Sequence, residues 1–265
     1  MSDKTQLTLP QFRKLSAIVY RESGVVLNDK KFSLLSARVT KRMRATGISK
    51  VSDYIELVCK NSEEFCEFID ATTTNHTFFF RENKHVEYIL ANCPSQKKLK
   101  IWSAASSSGE EAFSIAVQLL ENSFLFSVFG SDISDSMLET ARKAVYPMDK
   151  VRNVPVPILH KYFKKGTNKW NNHVKVKDFV RQYVRFEKFN LLSDIPAESF
   201  DIIFCRNVMI YFDHQTRQRV INTLTRALNP GGLLFVGMSE SLHMLEHDLV
   251  PVMASGYQKK MMQVG

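Results

Sequence analysis

The most informative segment of this chain is Phe200-Asp-Ile-Ile-Phe-Cys-Arg-Asn-Val-Met-Ile-Tyr-Phe-Asp213. Its first half is apolar and predicts a buried strand, and its second half places Arg206, Asn207 and Tyr211 directly behind that strand. Open α/β sheets bind their ligands at the carboxyl ends of their strands. We therefore expect a binding site where this strand ends.

The sequence on both sides of this segment alternates between strand and helix patterns. Downstream, Asn229-Pro-Gly-Gly-Leu-Leu-Phe-Val-Gly237 reads as a turn that leads into another apolar strand. Such alternation predicts an α/β fold with a doubly wound parallel sheet and helices on both faces. The predicted strands cover 99–104, 126–131, 201–206 and 232–237, and the predicted helices cover 109–121, 134–144 and 214–228.

Residues 160–189 depart from this alternation. They contain short β patterns, including Phe179-Val180 and 183–186, separated by turn residues such as those at 166–168. We interpret this region as a small antiparallel β insert.

The N-terminal part of the chain has a different character. Apolar residues recur at helical spacing between positions 8 and 70 and predict four helices. We therefore expect an all-α domain at 1–73 and an α/β domain at 74–265, which opens with a linker at 74–97 that carries a helix at 81–90.

Composition limits the class of protein. The chain has 265 residues, of which 44% are hydrophobic and 24% charged, as is common for globular proteins. No apolar run reaches the roughly 18 residues that span a bilayer, and the polar first residues lack the apolar core of a signal peptide. The four cysteines lack the spacing of metal ligands. We expect a soluble cytoplasmic protein with no metal and no membrane insertion.

The net charge of +9 is concentrated near the N-terminus. Residues 1–50 hold eleven Lys or Arg and three Asp or Glu. The second predicted helix, 29–45, carries basic side chains largely off its apolar stripe, namely Arg38, Lys41, Arg42 and Arg44. These residues indicate an acidic partner, although a solvated basic face without a partner has the same pattern.

Two segments in the first half of the sheet have ligand-binding features. The loop in Ile101-Trp-Ser-Ala-Ala-Ser-Ser-Ser-Gly-Glu-Glu111 is rich in small residues but has only Gly109, which argues against a pyrophosphate site. Glu111 or Glu110 suits the cationic amine of S-adenosylmethionine (SAM), unless both acids merely favour the helix dipole. Asp132 follows the second strand, 23 residues after Gly109. In nucleotide-binding sheets an acid at this position binds ribose hydroxyls. The alternative is that Asp132 only caps the helix that follows.

A third segment, Thr72-Thr-Thr-Asn-His-Thr-Phe-Phe-Phe-Arg-Glu82, combines polar residues with three consecutive phenylalanines. Asn75, Thr77 and Arg81 fit a ligand-lining segment, and helix capping with packing between domains fits equally well. In the opening segment, Arg206 could hold a carboxylate and Tyr211 could donate to a substrate oxygen, unless Tyr211 only packs.

Together, these segments resemble the CheR family of chemotaxis-receptor glutamate O-methyltransferases. The resemblance rests on Thr73-Thr-Asn-His-Thr-Phe-Phe-Phe-Arg-Glu82, Trp102–Glu111, Ser131-Asp-Ile, Asn190-Leu-Leu, Phe204–Asp213 and Gly237-Met-Ser-Glu-Ser-Leu242. It implies a SAM-dependent methyltransferase fold and SAM contacts from Asn75, Thr77, Arg81, Glu111, Asp132, Asn190, Leu191, Arg206 and Asn207. It also implies that Arg81 and Tyr211 lie near the reactive methyl group.

The resemblance further implies the reaction and the partners. A receptor glutamate would attack the methyl carbon of SAM and leave S-adenosylhomocysteine, with no general base because glutamate is already ionised at neutral pH. The basic helix would dock the cytoplasmic helical domain of a chemotaxis receptor. In some members of the family the β insert docks a receptor C-terminal peptide, and the sequence leaves open whether this chain does so.

Two other functions remain open from the residues alone. A SAM-dependent RNA methyltransferase would explain the positive charge, but the basic helix lacks nearby aromatic stacking residues, so we expect no nucleic-acid partner. A non-catalytic SAM-binding scaffold is the other alternative, and the presence of Arg81 and Tyr211 argues for activity.

Overall fold

The computed structural model describes residues 7–261. The helices are α1 (Leu9–Ser23), α2 (Phe32–Thr46), α3 (Val51–Lys60), α4 (Ser62–Thr72), α5 (Lys84–Asn92), α6 (Glu110–Glu121), α7 (Asp135–Lys143), α8 (Val156–Tyr162), α9 (Asp178–Arg181) and α10 (His214–Ala227). The strands are β1 (Leu99–Ala104), β2 (Phe126–Asp132), β3 (Val145–Pro147), β4 (Phe163–Lys165), β5 (His173–Val176), β6 (Val184–Lys188), β7 (Phe200–Cys205), β8 (Leu228–Val236), β9 (Leu249–Met253) and β10 (Gly256–Lys259).

The chain divides into two compact units. One comprises the described residues up to Thr74 together with Tyr211–Thr216, and the other comprises Asn75–Ile210 and the described residues from Arg217 onward. No helix of the described part is long and apolar enough to cross a membrane.

The first unit contains helices α1 to α4, as the apolar spacing predicts. The buried face of α1 is formed by Phe12, Leu15 and Val19, which repeat at helical spacing. α2 ends where Gly47 adopts a left-handed conformation, with φ of 71°. This unit also holds the segment after β7, because Val25 and Phe212 form an isolated antiparallel bridge.

The second unit is built on a seven-stranded sheet in the order β6-β2-β1-β7-β8-β10-β9. The five strands from β6 to β8 pair in parallel, whereas β10 is antiparallel to β8 and β9 is antiparallel to β10. The strand order reverses between β1 and β7, so the loops after these strands diverge and leave a crevice at their carboxyl ends. Apart from the segment 72–82, the predicted binding segments follow strands β1, β2, β6 and β7 at this edge.

The predicted helix at 81–90 begins and ends later than expected, since α5 is Lys84–Asn92. Phe80 and Glu82 have φ values of 61° and 52°, in the left-handed region that a right-handed helix excludes. Arg81 therefore lies in a turn rather than in the first turn of a helix.

The β insert is real, but its strands differ from the prediction. The small antiparallel sheet has the order β3-β5-β4, so it begins at Val145, before residue 160. Phe179 and Val180 are helical, in α9, and residues 184–188 form β6, a parallel edge strand of the main sheet. An alternating apolar pattern is compatible with either sheet, so the sequence alone could not assign residues 184–188 to one of them. In the structure Phe186 of β6 lies over Gly130 of β2, and a Cβ atom at position 130 would come within 2.5 Å of the Phe186 ring.

Candidate active site

The loop after β1 has an unusual backbone. Ala105, Ser107 and Gly109 have φ values of 57°, 50° and 90°, and the amide of Ser106 donates to the carbonyl of Ser131 on β2 at 2.8 Å. A Cβ at position 109 would lie 2.9 Å from the Cβ of Ala141, so this position requires glycine for space as well as for conformation. Repeated left-handed residues carry strain that often accompanies ligand-binding loops.

Asp132, the last residue of β2, holds this loop in place. Its Oδ2 accepts a hydrogen bond from the amide of Ser107 at 2.7 Å, and its Oδ1 accepts one from the amide of Ser134 at 3.0 Å. The side chain that caps α7 is that of Ser134, whose Oγ accepts from the amide of Met137. Asp132 is therefore a buried carboxylate at the strand end and is not the N-cap of α7, and its role in ribose binding stays a prediction.

Glu111 and Arg206 form an ion pair across the sheet edge. Arg206 Nε donates to Glu111 Oε2 at 2.7 Å, and the hydroxyl of Ser103 donates to Glu111 Oε1 at 2.7 Å. The Glu111 side chain is 14% exposed and that of Arg206 is 4% exposed. The carboxylate thus has a defined position at the mouth of the loop, whereas the neighbouring Glu110 is fully buried.

The other nitrogens of Arg206 bind the segment before α5. Nη2 donates to the carbonyl of Arg81 at 3.0 Å, and Nη1 donates to the carbonyl of Glu82 at 3.0 Å and lies 3.3 Å from Nδ1 of His85. Arg206 therefore fixes the backbone of the turn that carries Arg81. A guanidinium suits this role because it presents five N–H donors in one plane.

Asn207 adopts a left-handed conformation, with φ of 58°, and is held by two acids. Its amide donates to Glu240 Oε2 at 2.9 Å, and its Nδ2 donates to Glu82 Oε1 at 3.1 Å. Glu240 Oε2 also accepts from the amide of Gly237 at 2.6 Å, which closes the turn after β8 around the same site.

The segment 75–81 lies in the same unit as these groups. Asn75, Thr77 and Arg81 are all half-buried. Arg81 Nη1 donates to the carbonyl of His76 at 3.0 Å, and its guanidinium carbon lies 5.6 Å from the centre of the Phe78 ring. Arg81 thus keeps a fixed position while its side chain stays partly open to solvent, at 27% exposure.

Asn190 and Leu191 follow β6. The Oδ1 of Asn190 accepts from the amide of Leu192 at 3.0 Å, and the amide of Asn190 donates to Asp194 Oδ2 at 2.6 Å. Leu191 is buried, and its carbonyl accepts from the hydroxyl of Thr223. These bonds shape the turn at the edge of the sheet.

Tyr211 belongs to the first unit. Its carbonyl accepts from the amide of Val26 at 2.9 Å, and Lys31 Nζ lies 5.3 Å from the centre of its ring. Asp213, two residues later, accepts from the hydroxyl of Tyr20 at 2.8 Å. The role predicted for Tyr211 stays a prediction.

The four basic residues of α2 differ in their environment. Lys41 and Arg44 are exposed, whereas Arg38 donates to the carbonyl of Thr72. Burial lowers the pKa of Arg38.

Arg42 is the residue of this set that pairs inside the unit. Its Nε and Nη2 bind the two oxygens of Glu64 at 3.0 and 2.6 Å, and its Nη1 lies 2.7 Å from Glu67. The hydrogen bond to Glu64 raises the pKa of Arg42. The expectation that Arg42 presents its charge to a partner therefore conflicts with its internal ion pairs.

Three residues of the site were not singled out from the sequence, namely Glu82, His85 and Glu240. Glu82 and Glu240 stand inside the quoted motifs, but nothing in their spacing indicates that both bind Asn207. His85 is fully buried and stacks on Phe235 at 4.9 Å. Only the fold brings its ring to Arg206.

The donor set at this edge of the sheet fits SAM. Glu111 supplies a carboxylate for a cationic amine, and Asp132 lies where ribose hydroxyls bind in such sheets. The hydroxyls of Ser106 and Ser107 are buried with no hydrogen-bond partner among the described residues, as expected of groups that meet a ligand. Across the described chain, no group of three or more His, Cys, Asp or Glu side chains could hold a metal ion.

Comparisons with known proteins identify relatives of both units. The CheR methyltransferase all-alpha domain matches residues 10–73, and the CheR methyltransferase SAM binding domain matches residues 75–257. The chain is 37% identical over 256 residues to a chemotaxis protein methyltransferase of Escherichia coli, covering 93% of this chain and 89% of that protein. It is 33% identical over 274 residues to the chemotaxis protein methyltransferase of Borreliella burgdorferi, covering 96% of this chain and 95% of that protein.

Solved structures resemble the chain more distantly. A glycopeptide N-methyltransferase, MtfA, complexed with SAM aligns with a TM-score of 0.37 and 14% identity, covering 60% of this chain and 52% of that chain.

Fold and site define a SAM-dependent methyltransferase. Because both domain families match, the chain belongs to the CheR methyltransferase family.

Proposed function

We propose that this protein transfers the methyl group of SAM to glutamate side chains of chemotaxis receptors and so forms glutamyl methyl esters. The observation that carries the proposal is the match to chemotaxis protein methyltransferases over 93% of the chain, through both units. Receptors with long, glutamate-rich cytoplasmic helices are the substrates that this proposal implies.

The chemistry needs little beyond alignment. Bound SAM supplies an electrophilic methyl group. A glutamate with a pKa near 4.3 is ionised at neutral pH, so the protein need not remove a proton. Holding carboxylate and methyl group in line is then the main contribution to rate.

Arg81 is the group in the described site best suited to hold the substrate carboxylate. One of its nitrogens is engaged by the carbonyl of His76, and a guanidinium has further N–H donors in the same plane. Arg206 fixes the backbone carbonyls of Arg81 and Glu82, so the Arg81 side chain starts from a defined backbone. We propose that Arg81, together with Tyr211 by resemblance, acts on the incoming carboxylate, and that Asn75, Thr77, Glu111, Asp132, Asn190, Leu191, Arg206 and Asn207 form the SAM site.

The exposed charges of α2 fit the docking of a glutamate-rich helix. Lys41 and Arg44 are exposed, and attraction between exposed charges weakens as salt rises. We propose that these two residues carry most of the docking, with Arg38 as a partly buried contributor and Arg42 as a structural ion pair.

The function is tested by methyl transfer from radiolabelled SAM to a receptor cytoplasmic fragment and, separately, to total RNA. Base treatment that releases volatile methanol from the receptor fragment would support the proposal, because carboxyl methyl esters are base-labile. Stable label on RNA would favour an RNA methyltransferase instead. SAM binding without transfer to either would favour a non-catalytic SAM-binding scaffold.

A receptor C-terminal peptide at the β insert is a separate question. Receptor fragments with and without their last residues would be compared at equal concentration. A higher rate with the tail would support tethering, and equal rates would exclude it for that receptor.

A further inference from the structure

Glu110, the first residue of α6, is a fully buried acid that directly follows the loop between β1 and α6, residues 105–109, which we call the SAM loop. Its Oε2 accepts a hydrogen bond from the hydroxyl of Ser108 at 2.6 Å. Its Oε1 lies 3.2 Å from Lys150 Nζ. Burial raises the pKa of Glu110, and the bond from Ser108 and the charge of Lys150 act in the opposite direction.

Lys150 also binds the segment that carries the proposed SAM contacts. Its Nζ donates to the carbonyl of Thr77 at 2.6 Å, and its own carbonyl accepts from the amide of Phe79 at 3.2 Å. Lys150 lies in the short 3₁₀ turn Met148–Val151, directly after strand β3 of the small sheet. The side chain and the backbone of Lys150 therefore hold positions 77 and 79 of this segment.

Packing makes this attachment rigid. The ring of Phe79, which is fully buried, meets Tyr146 of β3 at 4.9 Å and Phe163 of β4 at 5.1 Å, both edge to face. The hydroxyl of Tyr146 donates to the carbonyl of Ser108 at 2.7 Å. The small sheet thus contacts both the SAM loop and the segment 77–79.

We propose that Lys150 is a positioning residue for SAM binding, because its ammonium group joins the carboxylate of Glu110 on α6 to the carbonyl of Thr77. The inference rests on the proposed function, in which Asn75 and Thr77 contact SAM. The ammonium group donates a hydrogen bond to the carbonyl of Thr77, and its charge lies 3.2 Å from Glu110 Oε1. Losing the ammonium group leaves the carbonyl of Thr77 without this donor, although the backbone bond from Phe79 remains, and so loosens the part of the segment that leads to Arg81.

A purely structural role would look different. Without a positioning role, Lys150 would only compensate the buried charge of Glu110, and removing one partner of such a pair lowers stability. Replacing Glu110 by Gln removes that charge while leaving the bond from Lys150 to Thr77. The two roles are therefore separable in a double variant.

The experiment measures SAM affinity by calorimetry and the unfolding midpoint without SAM for Lys150→Met, Glu110→Gln, the double variant and Lys150→Arg. Lys143→Met is the matched control, since Lys143 is exposed and pairs with Glu139 on the same helix. We expect Lys150→Met to unfold at a lower temperature and the double variant to regain much of that loss. We expect the double variant to bind SAM about tenfold more weakly than Glu110→Gln alone, as loss of a hydrogen bond from a charged group implies.

Two results would overturn the proposal. One is a double variant that binds SAM as tightly as Glu110→Gln, and the other is Lys150→Met with unchanged affinity. Lys150→Arg should retain most of the affinity, since its guanidinium can still donate to the Thr77 carbonyl. If Asp132→Asn bound SAM normally, the proposed SAM site itself would fail, whatever the Lys150 variants showed.

Discussion

Arg206 Nε lies 2.7 Å from Glu111 Oε2, although the two residues are 95 positions apart in the sequence. The pair joins the end of β7 to the first turn of α6, and the remaining nitrogens of Arg206 bind the carbonyls of Arg81 and Glu82. The same guanidinium thus orients an acid proposed to bind SAM and the backbone of a residue proposed to bind the substrate.

Arg206→Lys tests this dual role. A lysine is a single point charge and cannot bind Glu111 and both carbonyls at once. We expect SAM affinity to fall at least about tenfold in calorimetry, because hydrogen bonds from a charged group are lost. Arg226→Lys, at an exposed position of α10, is the control. Unchanged SAM affinity in Arg206→Lys would contradict the role.

Arg81→Ala and Tyr211→Phe test the proposed reaction centre. Both groups are proposed to act on the substrate carboxylate, so we expect turnover to fall more than SAM affinity. Removing one positioned donor typically lowers kcat by about a hundred- to a thousandfold. Separate measurement of kcat and of SAM binding decides this, and normal turnover in both variants would remove the two residues from the reaction.

Ala105→Gly tests the strain in the loop after β1. Ala105 has a φ of 57°, which costs an L-residue about 1 kcal/mol more than glycine. We expect the variant to be about 0.5 kcal/mol more stable, since greater chain entropy in the unfolded state offsets part of the gain. Ala17→Gly, at an exposed right-handed position in α1, should instead lose about 1 kcal/mol. Denaturant unfolding measures the free energy of unfolding of both variants. An equal loss of stability in the two variants would contradict backbone strain at Ala105.

The pH dependence of stability contains a contribution from His85. Burial lowers the pKa of His85 to about 4, the charge of Arg206 acts in the same direction, and Glu82 and Glu111 oppose it. An unfolded histidine titrates near 6.5, so the unfolded state binds more protons between these values. Stability from His85 is therefore complete above about pH 6.5 and is lost as pH falls toward about 4.

His85→Gln isolates that contribution because glutamine does not titrate. We expect the variant to lose less stability than the wild type between about pH 7 and about pH 5. His160→Gln, at an exposed histidine, should follow the wild type. A variant at position 85 that lost as much stability as the wild type over this range would contradict the interpretation.

Charge reversal on α2 separates docking from stability. Lys41→Glu with Arg44→Glu should leave the unfolding midpoint nearly unchanged and slow receptor methylation at low salt, with a smaller effect at high salt. Arg42→Ala should instead destabilise the protein by about 3 kcal/mol, because it leaves the buried carboxylate of Glu64 without its cation. Normal methylation by the doubly reversed variant across salt concentrations would argue against docking on α2.

Much of the fold could be predicted because its signals are local. The structure agrees to within one residue at each end with the strand predicted at 99–104 and with the helices predicted at 109–121 and 214–228, which are β1, α6 and α10. Asp132 and Arg206 could be assigned to one edge of the sheet because the carboxyl ends of neighbouring parallel strands lie together.

The rest depends on contacts between distant residues. The placement of β6 in the main sheet depends on Phe186 covering Gly130, and the pairing of Arg42 depends on Glu64 in another helix. Nothing in the local pattern distinguishes Arg42 from the exposed Lys41. The predicted start of α5 is wrong for a similar reason. Phe80 and Glu82 have left-handed backbone conformations in a turn whose carbonyls accept hydrogen bonds from the distant Arg206.

The most direct test of the central claim uses a receptor fragment in two forms, one intact and one with its candidate glutamates replaced by alanine. Both are incubated with the protein and radiolabelled SAM, and the methanol released by base is counted. We predict base-labile label on the intact fragment and none above background on the substituted one. Equal label on both forms, or label that resists base, would contradict glutamate methylation.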